Sequence, residues 1–164
     1  MSLREELRRL IAVERDRLAR REAKRAEVAA NEERRNEHQR AIFQPVATAL
    51  TEMRDALDRH DGVEIIVYDN CALIRLNTGG GQDAWQELEI STCYTSWSGP
   101  MHCDDDGFVV RSMVSDFPAE DVDDVARPDR KHFESAAALT DWLSQKIART
   151  AAFNRYVGEA PATG

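Results

Sequence analysis

Residues 63–77 read VEIIVYDNCALIRLN and mark the start of a predicted β-sheet. Two runs rich in β-branched and aliphatic residues, 63–69 and 71–77, meet at the short polar turn Asp69-Asn70. Such runs joined by a tight turn are typical of a β-hairpin, in which successive side chains point to opposite faces of a sheet. The sequence therefore changes here from a helical repeat to a repeat of two, and a sheet domain begins.

Two further strands and a final helix are predicted downstream of this hairpin. WQELEISTCYTSW at residues 85–97 alternates polar with apolar side chains, and FVVRSMVSDF at residues 108–117 reads as a fourth strand. Residues 118–131 are acidic and indicate a loop or a single helical turn. Ser135 can cap a C-terminal helix whose apolar side chains recur at helical spacing. These side chains are Leu139, Trp142, Leu143, Ile147, Ala151 and Phe153.

The chain upstream of the hairpin is predicted to be helical. Its first forty residues contain no Gly or Pro, and Ser2 followed by Glu5 fits a capping box at a helix start. The large apolar residues near this start recur at three-, four- and seven-residue spacings, which gives a narrow apolar seam on one helix face. A helix with so narrow a seam buries little by itself, so we expect it to pair with another helix. The seam consists of Leu3, Leu7, Leu10, Ile11 and Leu18.

Two partners for this seam remain open. Residues 41–62 can form a second helix of the same chain, beginning near Gln44 or kinked at Pro45, because proline fits poorly inside a helix. The alternative is another copy of the protein, paired as a parallel or antiparallel coiled coil. A helix of forty residues is long for a compact domain of this size, which favours a homodimer.

The predicted fold class is therefore α+β. A long N-terminal helical arm, either a coiled coil or a helical hairpin, is followed by a four-stranded antiparallel sheet packed by a C-terminal helix. We expect two parts, residues 1–61 as the arm for self-association and residues 62–164 as the sheet and helix domain.

The net charge of −8 is unevenly distributed along the chain. Residues 1–60 hold 14 Lys/Arg and 12 Asp/Glu, whereas residues 61–164 hold 8 and 18. Within residues 61–110, Arg75 alone accompanies nine acids. An acidic body repels nucleic acid and favours a basic protein partner. The residues expected to bind such a partner are Asp104, Asp105, Asp106, Glu87 and Glu89.

The stretch CYTSWSGPMHCDDDGF, residues 93–108, raises the alternative of a metal site. Cys93, His102 and Cys103 are ligand-type residues, and a metal-dependent protein or enzyme centred on them is one interpretation. Structural zinc sites usually use pairs of ligands two to four residues apart, whereas His102 and Cys103 are adjacent. A loop between two strands is the preferred interpretation, so we expect no metal, no cofactor and no catalytic residue.

Composition indicates a reducing compartment and no membrane segment. The three cysteines are an odd number without a CxxC pair, which argues against a disulfide framework and favours the cytoplasm. No stretch approaches the roughly 18 apolar residues that span a bilayer, and the charged start lacks the apolar core of a signal peptide.

The sequence therefore predicts a protein that works by contact, as an adaptor or an inhibitor. The arm would mediate homodimerisation, and the acidic sheet domain would bind a basic partner. A further alternative is nucleic-acid association through residues 1–40, which are rich in arginine. Their basic residues alternate with acids and no aromatic residue precedes Phe43, which disfavours this alternative.

Overall fold

A computed structural model describes residues 2–79, 84–92, 107–113, 117 and 127–159 of the 164-residue chain. Its elements are α1 (Leu3–Asp55), β1 (Val63–Val67), β2 (Cys71–Asn77), β3 (Trp85–Thr92), β4 (Phe108–Ser112), β5 (Arg130–Phe133) and α2 (Ala136–Glu159). The chain divides into two compact units, residues 1–38 and residues 39–164. A long N-terminal helix, an antiparallel sheet and a C-terminal helix confirm the predicted α+β class. None of the helices in these described segments has the length and apolarity needed to cross a bilayer.

Helix α1 begins at the predicted capping box. The backbone N–H of Ser2 donates to Oε2 of Glu5 at 2.8 Å, and the N–H of Glu5 donates to Oγ of Ser2 at 3.4 Å. The first N–H groups of a helix have no partner within the helix, and this reciprocal pair supplies two such partners. The start of the helix is therefore fixed by its own local sequence.

Helix α1 continues through Pro45, so the prediction of a new helix beginning near Gln44 is wrong. A proline inside a helix removes a hydrogen bond and costs about 3 kcal/mol or more. On either side of it, Phe43, Val46 and Leu50 are buried in the core. Burial of such side chains contributes about 1.5–3 kcal/mol each, which together exceeds the cost of the proline. The helical-hairpin interpretation of the arm is wrong for the same reason.

The strands form one antiparallel sheet in which each strand pairs with the next along the chain, in the order β1-β2-β3-β4-β5. The predicted hairpin is present, with Ile65 opposite Ile74 and Val67 opposite Ala72. Every second residue of β2 is buried, and Leu88 of β3 continues the row through Ile74. The period-two pattern therefore assigned the correct side chains to the core.

The sheet has five strands rather than the four that the sequence predicted. The additional strand, β5, pairs with β4 so that Phe133 lies opposite Phe108. Its sequence RKHF is short and mostly charged, so it lacks the apolar alternation by which the other strands were recognised. The segment 118–131, predicted as a loop or a helical turn, therefore ends in the first two residues of a strand.

Both helices contribute to a single hydrophobic core on one face of the sheet. The residues of α1 after position 38, alternate residues of the strands and one face of α2 form one cluster of buried side chains. Removing these side chains from water supplies the main driving force for folding. The largest fully buried members are Phe43, Leu50, Ile74, Leu76, Leu88, Ile90, Phe108, Leu139 and Leu143.

Helix α2 begins at its predicted cap and packs mainly as predicted. The backbone N–H of Ala138 donates to Oγ of Ser135 at 3.2 Å. Trp142 is half-buried, with ring centroids 6.0 Å from Phe117 and 5.3 Å from Phe133. Leu139, Leu143, Ile147 and Ala151 are buried, which confirms the predicted core stripe up to that point, whereas Phe153 is 45% exposed.

The C-terminal end of α2 lies against two turns of the sheet. The side-chain amide of Asn154 donates to the carbonyl of Asn77 at 3.1 Å. Gly62 and Gly79 have positive φ angles of 66° and 80°, a region that favours glycine. A Cβ at Gly62 would overlap the side chain of Asn154, and a Cβ at Gly79 would overlap the ring of Phe153. Both glycines are therefore required by backbone conformation and by close packing.

Candidate interaction surfaces

The predicted self-association residues all lie on the N-terminal segment, which we define as residues 2–38. Every side chain of this segment is exposed. Large apolar side chains exposed in this way are unusual in a row, because burying each one fully is worth about 1.5–3 kcal/mol. The exposed fractions are 84% for Leu3, 58% for Leu7, 56% for Leu10, 48% for Ile11 and 51% for Leu18.

These five residues, the seam, share one face of the helix. At 3.6 residues per turn they fall within a sector of about 100°, the width of an apolar stripe that faces a partner. Glu14 lies inside this sector, Val13 lies outside it, and Ala12 lies on the opposite side of the helix. The seam is therefore a defined strip that is interrupted by one acid.

Ion pairs along the N-terminal segment stabilise its helix locally. Nη1 of Arg17 lies 3.4 Å from Oε2 of Glu14, and Nη2 of Arg20 lies 2.6 Å from Oδ2 of Asp16. Exposed pairs one turn apart contribute about 0.2–0.5 kcal/mol each to a helix. They add modestly to the stability of the helix, but they leave the seam in contact with water.

A second surface is the outer face of the sheet, on the side away from α2 and from the residues of α1 after position 38. Arg75 of β2 stands in its middle and bridges the two neighbouring strands. Its Nη1 lies 3.1 Å from Oε2 of Glu64, and its Nε donates to Oε1 of Glu87 at 2.8 Å. Hydrogen bonds to the two carboxylates raise the pKa of Arg75. Arg75 therefore compensates the charge of Glu87, one of the predicted partner-binding acids, only in part, because the same guanidinium also faces Glu64.

Glu89, the second predicted acid on this face, lies two residues after Glu87 on β3 and is half-buried. It lies opposite Leu73 of β2 and Arg111 of β4 in the sheet register. Burial, followed by the negative charge of Glu89, raises the pKa of the Cys71 thiol. Cys71 is therefore held in its neutral, weakly nucleophilic form at neutral pH.

The β4 and β5 end of the outer face carries more basic side chains. Nε of Arg111 lies 3.6 Å from Oδ2 of Asp129, and Nε of Arg130 lies 3.7 Å from the same oxygen. Val109 on this face is only 4% exposed. The outer face is therefore polarised, with its acids around Arg75 and its bases towards β5.

An ion pair that the sequence did not predict joins the turn after α1 to helix α2. Asp61 is completely buried, and the guanidinium of Arg155 donates to both of its carboxylate oxygens. The backbone N–H of Asp58 donates to the same carboxylate at 2.8 Å. The two residues are 94 positions apart and neither belongs to a recognisable motif, so no local sequence signal marks them.

The remaining predicted residues lie outside the described part of the chain. Asp104, Asp105 and Asp106 belong to this group, as do the candidate ligands Cys93, His102 and Cys103. Among the described residues, no group of three or more His, Cys, Asp or Glu side chains is arranged to hold a metal ion. The structure thus brings together Glu87 and Glu89 on one face and the five seam residues on one helix.

Comparison of the chain with models of protein families, with curated proteins and with solved structures gave no significant match.

Proposed function

We propose that this protein acts by binding other proteins, pairing with a second copy through the seam and binding a basic partner through the sheet domain. The observation that carries the first part is the exposure of the five seam residues, each at least 48% accessible to water. A strip of this kind on a helix is what a helical partner covers in a coiled coil. A homodimer supplies such a partner without any other component, through the same strip on both copies.

The sheet domain supports the second part through its charge. Residues 61–164 hold 8 basic and 18 acidic residues, whereas residues 1–60 are nearly balanced. On the outer face of the sheet, Glu64 and Glu87 share the single positive charge of Arg75, so this group of three residues keeps a net negative charge. The acids expected to steer a basic partner are Asp104, Asp105 and Asp106, together with Glu87 and Glu89. The odd cysteine number favours action in the reducing cytoplasm.

Substitutions in the seam test the first part. Leu7→Glu and Leu10→Glu place a charge in the seam while keeping a residue with good helix propensity. Each is expected to lower the mass of the full-length protein in solution, measured by light scattering at tens of micromolar, towards the monomer value of 18.5 kDa. Ala12→Glu is the matched control, because it adds the same charge on the opposite side of the helix.

The control variant is expected to keep the mass of the unaltered protein. If the seam variants and Ala12→Glu have the same mass as the unaltered protein, the seam does not mediate self-association, and the first part of the proposal is wrong.

A further inference from the structure

We infer that two copies pair antiparallel through residues 3–18, with the two-fold axis passing between Leu10 and Ile11. This inference rests on the self-association proposed above and adds the direction and register of the pairing. It follows from the order of residues along the seam and from the charges that lie within it.

The seam reads nearly the same in both directions. Leu3 and Leu18 lie equally far from the point between Leu10 and Ile11. In an antiparallel pair centred on that point, Leu3 meets Leu18 of the second copy and Leu10 meets Ile11. All of these side chains are about half exposed or more in the single chain. The antiparallel register therefore covers both ends of the seam and its centre at once.

Glu14 breaks the symmetry and distinguishes the two directions. It occupies the seam position that mirrors Leu7. A parallel, in-register pair would place the two Glu14 carboxylates opposite each other, and like charges at facing positions destabilise a helical pair. In the antiparallel pair each Glu14 lies opposite Leu7, beside Arg4 and Arg8 of the second copy. These two arginines are exposed on the flank of the seam.

The ion pair now made by Glu14 is easily exchanged. Arg17 and Glu14 are 57% and 55% exposed in their side chains, and their atoms approach to 3.4 Å. Exposed pairs of this kind are weak. In the antiparallel register Arg17 is level with position 4 of the second copy, and Glu6 of that copy, on the same flank of the seam as Arg17, lies two residues or about 3 Å further along. Both partners of the ion pair within one chain therefore find an opposite charge on the other chain.

Distances between spin labels test the direction of pairing without altering the seam. Cysteine is introduced as Ala23→Cys or Ala30→Cys, both exposed and seven residues apart on the side of the helix away from the seam. The natural cysteines Cys71, Cys93 and Cys103 are replaced by serine in the full-length protein. The distance between the two spin labels of a dimer is then measured for each variant by pulsed electron paramagnetic resonance.

The antiparallel register predicts two different, long distances. At a rise of 1.5 Å per residue, the labels at position 23 should be separated by about 38 Å and those at position 30 by about 58 Å. A parallel pair predicts that both distances are equal and below about 30 Å, since helix axes pack 8–10 Å apart.

The possible results distinguish the antiparallel pairing from the self-association on which it rests. Equal, short distances would overturn the antiparallel pairing and leave self-association intact. Distances that differ by about 20 Å but indicate an axis away from Leu10 and Ile11 would overturn the register. A monomeric mass for the unlabelled, natural protein at the concentration used would instead overturn the proposed self-association.

Discussion

The guanidinium of Arg155 donates two hydrogen bonds to the carboxylate of Asp61, from Nε to Oδ1 at 2.5 Å and from Nη2 to Oδ2 at 2.9 Å. This bidentate pair fastens the turn that precedes the sheet to the last turns of the C-terminal helix. The hydrogen bond from Arg155 and that from the N–H of Asp58 lower the pKa of Asp61 from its ordinary value of 3.8 to about 2.

This pair predicts a specific dependence of stability on pH. Because the pKa of Asp61 is lower in the folded state, the pair stabilises the protein fully above about pH 4 and loses this contribution as the pH falls towards 2. Arg155→Gln should lower the urea midpoint at pH 7, and the difference from the unaltered protein should shrink at acid pH. Arg149→Gln, an exposed arginine of the same helix, is the control and should change the midpoint little at either pH. A difference that is the same at pH 2 and pH 7 would contradict the role given to the ion pair.

Two glycine substitutions should have opposite effects. Gly79→Ala places a Cβ on the ring of Phe153 and requires a left-handed backbone, so we expect a loss of about 1–3 kcal/mol in the free energy of unfolding. Gly158→Ala meets no atom within 4 Å and lies in helix α2, where alanine is favoured by up to about 1 kcal/mol. Thermal unfolding of both variants checks the prediction. Equal effects of the two changes would contradict the close contact between Gly79 and the ring of Phe153.

The core stripe of α2 predicts a large effect at its centre. Leu143 is 1% exposed within the core cluster, so Leu143→Ala should cost about 2–5 kcal/mol in the free energy of unfolding. Gln145→Ala, on the exposed side of the same helix, should change it by less than about 0.5 kcal/mol. Denaturant titrations of the two variants measure both values. A midpoint of Leu143→Ala equal to that of the control would mean that this face of the helix is free to bind a partner.

The elements predicted correctly from the sequence are those with a regular pattern of their own. The strands β1 and β2 are rich in β-branched and aliphatic residues, β3 alternates polar with apolar residues, and α2 carries both a cap and an apolar stripe. β5 lacked such a pattern, because three of its four residues are Arg, Lys and His, and it forms by pairing with β4. The prediction at Pro45 was wrong because the local cost of the proline is outweighed by the burial of Phe43, Val46 and Leu50 against residues that are distant in the sequence.

The candidate surfaces were predictable to different degrees. The five seam residues share one face of the helix because of their spacing, so they could be identified from the sequence alone. Compensation of Glu87 by Arg75 depends on the register between β2 and β3, which the sequence predicted only as a general arrangement. The pairing of Asp61 with Arg155 arises only when the sheet and α2 are assembled, and local patterns carry no information about it.

The three consecutive aspartates Asp104, Asp105 and Asp106 predict an association rate that depends on salt. Asp104→Asn, Asp105→Asn and Asp106→Asn together should slow association with the basic protein recovered by pull-down more than they speed dissociation. The effect should decrease at high salt, since exposed charges are screened beyond about 8–10 Å at physiological ionic strength. The control removes the same charge from the N-terminal segment, as Glu32→Gln, Glu33→Gln and Glu37→Gln. An unchanged association rate of the triple aspartate variant at low salt would show that these three charges do not steer the partner.

The mass of the unaltered protein across a dilution series shows whether the seam pairs two copies. Self-association through the seam predicts a mass of twice 18.5 kDa at tens of micromolar, which falls towards 18.5 kDa on dilution as the dimer dissociates. A mass of 18.5 kDa throughout the series would contradict the account, because the seam would then remain exposed to water in the functional protein.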